Sequence, residues 1–125
     1  YDPGIKDWEV SYCLHAKCTI LPIPLFRDRI PVIVDQLTTL CGPGELIDVV
    51  VTERGIAINP LRKDLIEKMK NSSLPIVSMQ DLKAQADAIC GVPDKAAISD
   101  KDEDTVAVIK WVDGTVLDTV KRVLV

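Results

Sequence analysis

Aromatic side chains are scarce: Tyr1, Trp8, Tyr12, Phe26 and Trp111 are the whole complement of a 125-residue chain. Five scattered rings cannot build a platform on which successive bases stack. An excess of positive charge is also missing, with 15 Lys and Arg against 19 Asp and Glu and a net charge of -4. The electrostatic footprint that draws proteins to nucleic acid is therefore absent. No apolar run approaches the ~20 residues that span a bilayer, and the opening YDPGIKDWEV is charged and broken by Pro3 and Gly4, unlike a signal peptide. Histidine occurs once, as His15, far in sequence from any serine in a strained elbow, which argues against a Ser-His-Asp hydrolase. The expectation is a cytoplasmic protein that engages neither nucleic acid nor membrane.

CxxC spacing is lacking too. Cys13, Cys18, Cys41 and Cys90 are scattered, unlike a zinc ribbon or a thioredoxin-type motif, and reduced thiols are the simplest account. CLHAKC does gather Cys13, His15 and Cys18, with Cys41 a conceivable fourth ligand, but these intervals match no usual finger or knuckle. The reading adopted is no metal: small cysteines packing near a strand start, with His15 at the surface.

What is present is apolar. Hydrophobic residues make up 47% of the chain, enough for one domain with a core of its own. CTILPIPLF, Cys18 to Phe26, is β-branched but holds Pro22 and Pro24, which cannot donate to a ladder, so it belongs at an edge or runs irregularly. IPVIVDQLTTL, Ile30 to Leu40, reads as a better strand. LIDVVVT, Leu46 to Thr52, is a run suited to a strand covered on both faces.

Gly55 to Pro60 then reads as a link from that strand to a helix. Asn59 is placed to cap this helix and Pro60 to fill its first turn, and Leu61, Leu65, Ile66 and Met69 share one face up to an end near Asn71. LPIVS supplies a short strand. Ser78 and Asp81 form a capping box for a second helix carrying Leu82, Ala86 and Ile89, stopped by Gly91 and Pro93. Leu46 to Ile89 thus reads strand, helix, strand, helix, the pattern that builds parallel sheets through right-handed crossovers. SDKDED, Ser99 to Asp104, reads as a solvated acidic loop with no partner of its own. TVAVIKWV and TVLDTVKRV flank Asp113-Gly114 as a hairpin.

Chemistry has two places to reside. Gly42-Pro43-Gly44 has the look of an anion cradle, but it precedes a strand instead of opening a helix, and Pro43 removes an N–H that a phosphate would want. Glu53 follows the buried strand at its carboxyl end, where open α/β sheets place ligands. It is either a nucleophilic carboxylate or an exposed turn residue, and the second reading is the simpler.

LFRDRIPVIVDQLTTLCGPGELIDVVVTERGIAINPLRKDLIEKMK and the closing VAVIKWVDGTVLDTVKRV resemble the C-terminal region of the citrate lyase alpha subunit, the citrate CoA-transferase. The resemblance runs from about Cys18 to the end, leaving residues 1–17 as a divergent segment and 18–125 as part of a CoA-transferase-like domain. It implies an α/β fold with an open, mostly parallel sheet, flanking helices and a C-terminal hairpin. It also implies an enzyme that exchanges acetyl for citryl on an acyl-carrier thioester through an active-site glutamate. That thioester is borne on a phosphoribosyl-dephospho-CoA arm, and the partners are the beta (lyase) and gamma (acyl carrier) subunits in an oligomeric complex. The family's Ser-Gly-Gly-His segment is not matched by YDPGIKDWEVSYCLHAKC, where only His15, Ala16 and Lys17 hint at it out of register. No catalytic residue is therefore carried onto this chain, and its cofactor-binding residues stay unassigned. The competing expectation is a truncated, non-catalytic relative that serves as an interaction or assembly module.

Overall fold

The computed structural model describes Cys13 and residues 15–124; the expectations for Tyr1, Trp8, Tyr12 and most of the segment 1–17 lie outside the described residues. Among the described residues, three small sheets and two helices of defined bounds carry the fold. β1 (Ile20–Pro22), β4 (Val49–Thr52) and β5 (Gly55–Ile58) form one sheet with β4 in the middle, β1 parallel to it and β5 antiparallel. β2 (Phe26–Arg27) pairs with β3 (Ile30–Pro31), and β6 (Thr105–Lys110) with β7 (Val116–Lys121), both antiparallel. The helices are α1 (Lys63–Met69) and α2 (Met79–Cys90).

The proline-bearing segment takes the edge position expected of it, since Pro22 closes β1 on the outside of the sheet. Ile30 to Leu40 does not form the long strand that its apolar run suggests. Pairing stops after Pro31, and the chain beyond is held from outside: Val32 N–H donates to the Leu25 carbonyl at 3.0 Å, and Leu40 N–H to Asp118 Oδ2 at 2.7 Å. Leu46 likewise leaves the predicted strand for a short 3-10 turn, Gly44–Leu46.

The largest revision concerns Gly55 to Pro60, which is a strand and not a linker. Glu53 and Arg54 form a tight turn, steadied by Thr52 Oγ1, which donates to the Gly55 carbonyl at 3.0 Å and accepts from Arg54 N–H at 3.1 Å. The chain therefore folds back as a hairpin before any helix begins. The expected crossover survives one strand later: Ile76 of LPIVS makes a parallel bridge to Ile56 of β5, with α1 between them. The sheet is consequently mixed, not mostly parallel. The helix after β5 also starts late. Asn59 makes a side-chain turn, Leu61 N–H donating to its Oδ1 at 3.0 Å, while its amide group donates to the carbonyls of Ile47 and Gly44, and α1 begins only at Lys63.

α2 has the predicted capping box: Asp81 N–H donates to Ser78 Oγ at 3.0 Å and Ser78 N–H to Asp81 Oδ2 at 3.1 Å. Its inner face packs Leu82 and Ala86 against Ala57 of β5 and against Leu25 and Ile33, and these five residues form the buried core. Ile89, expected on that face, is exposed. The acidic segment is less isolated than its composition suggests. Ser99 is buried with its hydroxyl on Asp104 Oδ2 at 2.6 Å, and Lys121 Nζ reaches Asp102 at 2.8 Å, which fastens the loop to β7. The hairpin expected at Asp113-Gly114 is present, with Gly114 at a φ of 89° that favours glycine. No described helix is long and apolar enough to cross a membrane.

Candidate functional site

The most concentrated polar chemistry lies where β1, β4 and α1 converge. Asp48 sits just ahead of β4, inside the apolar run, and is only 8% exposed. A charge buried to this degree is tolerated when it is paired and hydrogen-bonded. Its Oδ2 accepts Thr19 N–H at 2.6 Å at the start of β1, and its Oδ1 meets Arg62 at 2.7 Å. Arg62 forks onto Asp64 through Nε and a terminal nitrogen, both at 2.9 Å, and also donates to the Lys17 carbonyl at 3.3 Å. The Thr19 amide, then Arg62, hold the Asp48 carboxyl below its usual range. Arg62 lowers Asp64 to about 2, and the two carboxylates raise the guanidinium in turn. Every charge here is answered by a neighbour, so the cluster fastens three elements together.

Beside it opens a groove of about 580 Å3 between the β1-β4-β5 sheet, the chain after β3 and the Gly44 turn. Its walls are aliphatic, with Leu37, Leu61 and Met79 at the surface. Two carboxylate residues, Glu45 and Asp48, line it, and among the described residues no lysine or arginine does. Asp48 is paired with Arg62, so an anionic substrate would meet the Glu45 carboxylate and no lysine or arginine on the described lining.

The residues singled out from sequence are placed as follows. Gly44 borders the groove, and its carbonyl accepts Asn59 Nδ2 and Ile47 N–H, each at 3.3 Å. The Glu53 carboxylate accepts Leu25 N–H, at 3.0 Å to Oε2 and 3.3 Å to Oε1, and so holds the connection between β1 and β2 from the tip of the β4–β5 hairpin. His15 and Cys18 are exposed, and Cys41 Sγ faces the Thr39 carbonyl at 3.9 Å. Among the described residues no three His, Cys, Asp or Glu side chains gather to hold a metal. Sequence reasoning did not single out Asp48, Arg62 or Asp118. The available signal was Asp48 itself, a lone charge inside LIDVVV.

The comparisons with known proteins decide the family, since a model of "Citrate lyase, alpha subunit" matches residues 7–123. The chain belongs to the citrate lyase alpha subunit family. Among curated relatives, the citrate lyase alpha chain of Haemophilus influenzae is 39% identical over 120 residues, covering 96% of this chain and 23% of that protein. The Klebsiella pneumoniae alpha chain is 37% identical over 108 residues, covering 86% of this chain and 21% of its own length. A crystal structure described as the alpha subunit of citrate lyase from Streptococcus mutans, in complex with citrate, superposes with a TM-score of 0.86 at 43% identity, over 94% of this chain and 22% of that one. The chain thus spans between a fifth and a quarter of the length of the citrate lyase alpha chains it matches.

Proposed function

We propose that these residues form the C-terminal part of a citrate CoA-transferase subunit, in which acetyl on an acyl-carrier thioester is exchanged for citryl, and that they serve it as scaffold. Family membership supports the reaction class. The observation that carries the division of labour is Glu53: its carboxylate is committed to the Leu25 amide, 3.0 Å away, which is a positioning contact and not that of an attacking group. The catalytic glutamate of the exchange then lies elsewhere in the subunit.

The phosphoribosyl-dephospho-CoA arm does not fit the groove described above, which presents Glu45 and Asp48 and no cation to its phosphates. The partners of such a subunit are the beta (lyase) and gamma (acyl carrier) chains of a citrate lyase complex.

Glu53→Gln, made after joining this chain to the remainder of the Streptococcus mutans subunit, tests the assignment. The amide oxygen of glutamine still accepts Leu25 N–H, so the fold is retained and the rate of citrate-dependent acyl exchange should stay within about tenfold of the parent, whereas loss of a nucleophile costs roughly 10^4-fold or more. A collapse of that size with the melting temperature unchanged would make Glu53 the nucleophile.

A further inference from the structure

We infer that the groove flanked by Leu37 and Leu61 is an interface inside the alpha subunit, covered by an apolar segment from the part of such a subunit that lies outside the region matched here. The first support is the surface itself. Leu37 is 57% exposed and Leu61 69% exposed, both lining one aliphatic groove, and Val34 and Met79 border the same space. Scattered exposed leucines need no explanation, but apolar side chains converging on one concavity mark a surface that something occupies.

The second support is the groove's charge. Glu45 and Asp48 are its only ionisable lining residues among those described, and Arg62 is turned away onto Asp48 and Asp64. Asp48 is already neutralised by Arg62, and no cation lines the walls to hold citrate, a phosphate or a CoA-like arm, so the aliphatic lining suits an aliphatic protein segment.

The third support is length. The Streptococcus mutans subunit keeps this fold at a TM-score of 0.86 while only 22% of that chain is matched, so most of the polypeptide is tethered to these residues. A tethered segment is present at the high effective concentration that a loose second copy lacks. This inference rests on family membership and not on the acyl-exchange reading.

Thiol footprinting tests it. Leu37→Cys and Leu61→Cys, both at exposed positions, are labelled with a small maleimide in the 125-residue chain and in the same chain joined to the remainder of the Streptococcus mutans subunit. Lys70→Cys, exposed at the C-cap of α1 and not among the groove's lining residues, is the reference. Peptide mass mapping separates the introduced thiols from Cys13, Cys18, Cys41 and Cys90. Labelling at 37 and 61 should slow by about tenfold or more in the joined subunit while position 70 is unchanged, as burial at a packed interface excludes the reagent. Equal rates in the two contexts overturn the inference. So does protection in the short chain alone that grows with its concentration, because the occupant would then be a second copy. Protection appearing only on addition of citrate or CoA would assign the groove to a small molecule and also overturn it. If the joined chain does not fold, hydroxyl-radical footprinting of the unaltered Streptococcus mutans subunit at the structurally equivalent rim positions supplies the same reading: protected rims support the interface and reactive rims refute it.

Discussion

Gly55→Ala isolates one packing contact and should destabilise the fold out of proportion to the single methyl it adds. Gly55 opens β5 and is buried. A Cβ built there lies 2.6 Å from Val77 Cγ2, 3.3 Å from the Pro75 carbonyl oxygen and 3.4 Å from Leu82 Cδ2. Carbon atoms prefer ~3.5–4.0 Å, so the first contact is about 1 Å too close. Val77 cannot simply rotate away. It is β-branched and stiff, and it packs against the core between the Ile56–Ile76 bridge and the Ser78 cap. Overpacking of this kind costs about 1–3 kcal/mol. For a domain of about 100 residues that is a fall in Tm of roughly 5–20 °C, and Gly55→Val should fall further.

The matched control is Gly44→Ala. Nothing lies within 4 Å of the Cβ position at Gly44, so this change should leave Tm within about 3 °C of the parent. Adding Val77→Ala removes the worst contact, so Gly55→Ala should cost less in that background. What remains is the Pro75 carbonyl and the backbone φ of 159° at Gly55. Scanning calorimetry on the four chains gives the coupling directly. Equal Tm for Gly55→Ala and the parent, or the same loss with and without Val77, would refute the packing argument.

Asp48 makes stability depend on acid. Its folded pKa is depressed by the Thr19 amide and Arg62, so its contribution is fully present above the unfolded value near ~3.9 and is lost as pH falls through the lower folded value. Urea titrations between about pH 2 and pH 6 should show a steep acid limb that Asp48→Asn flattens; a limb unchanged by that substitution would place the acid sensitivity elsewhere. Asp118→Ala removes the acceptor for Leu40 N–H, and should raise hydrogen exchange at Leu40 while exchange in β4 stays at parent rates. Ser78→Ala removes an N-cap and should cost about 1 kcal/mol, seen as a lower urea midpoint at constant slope; an unaltered midpoint would mean that the capping box contributes nothing net.

Local chemistry was legible along the chain. Ser78 and Asp81 cap α2 because both halves of the motif act across three residues, and Asp113-Gly114 turns because glycine adopts the positive φ there without steric cost. Pro22 sits at a sheet edge because it has no N–H to give. The misreadings were all matters of partner choice. Thr52 to Gly55 closes a hairpin by side-chain bonds that no hydrophobic period records. Ile30 to Leu40 carries the composition of a strand, yet its backbone is satisfied by Leu25 and by Asp118, a residue 78 positions away.

The candidate site divides along the same line. The motif order, from CGPGELIDVVVTERGIA through the late Asp-Gly, was by itself enough to point to the citrate lyase alpha family, because order and spacing of residues survive in one dimension. Composition likewise disfavoured nucleic acid and membranes. Only the tertiary structure decided what the charged residues do. Asp48, Thr19 and Arg62 meet through a parallel pairing of distant strands, Glu53 is engaged by Leu25, and Leu37 and Leu61 line one groove. A side chain's role depends on its neighbours in space, and for these residues the neighbours lie between 14 and 29 positions away in the sequence.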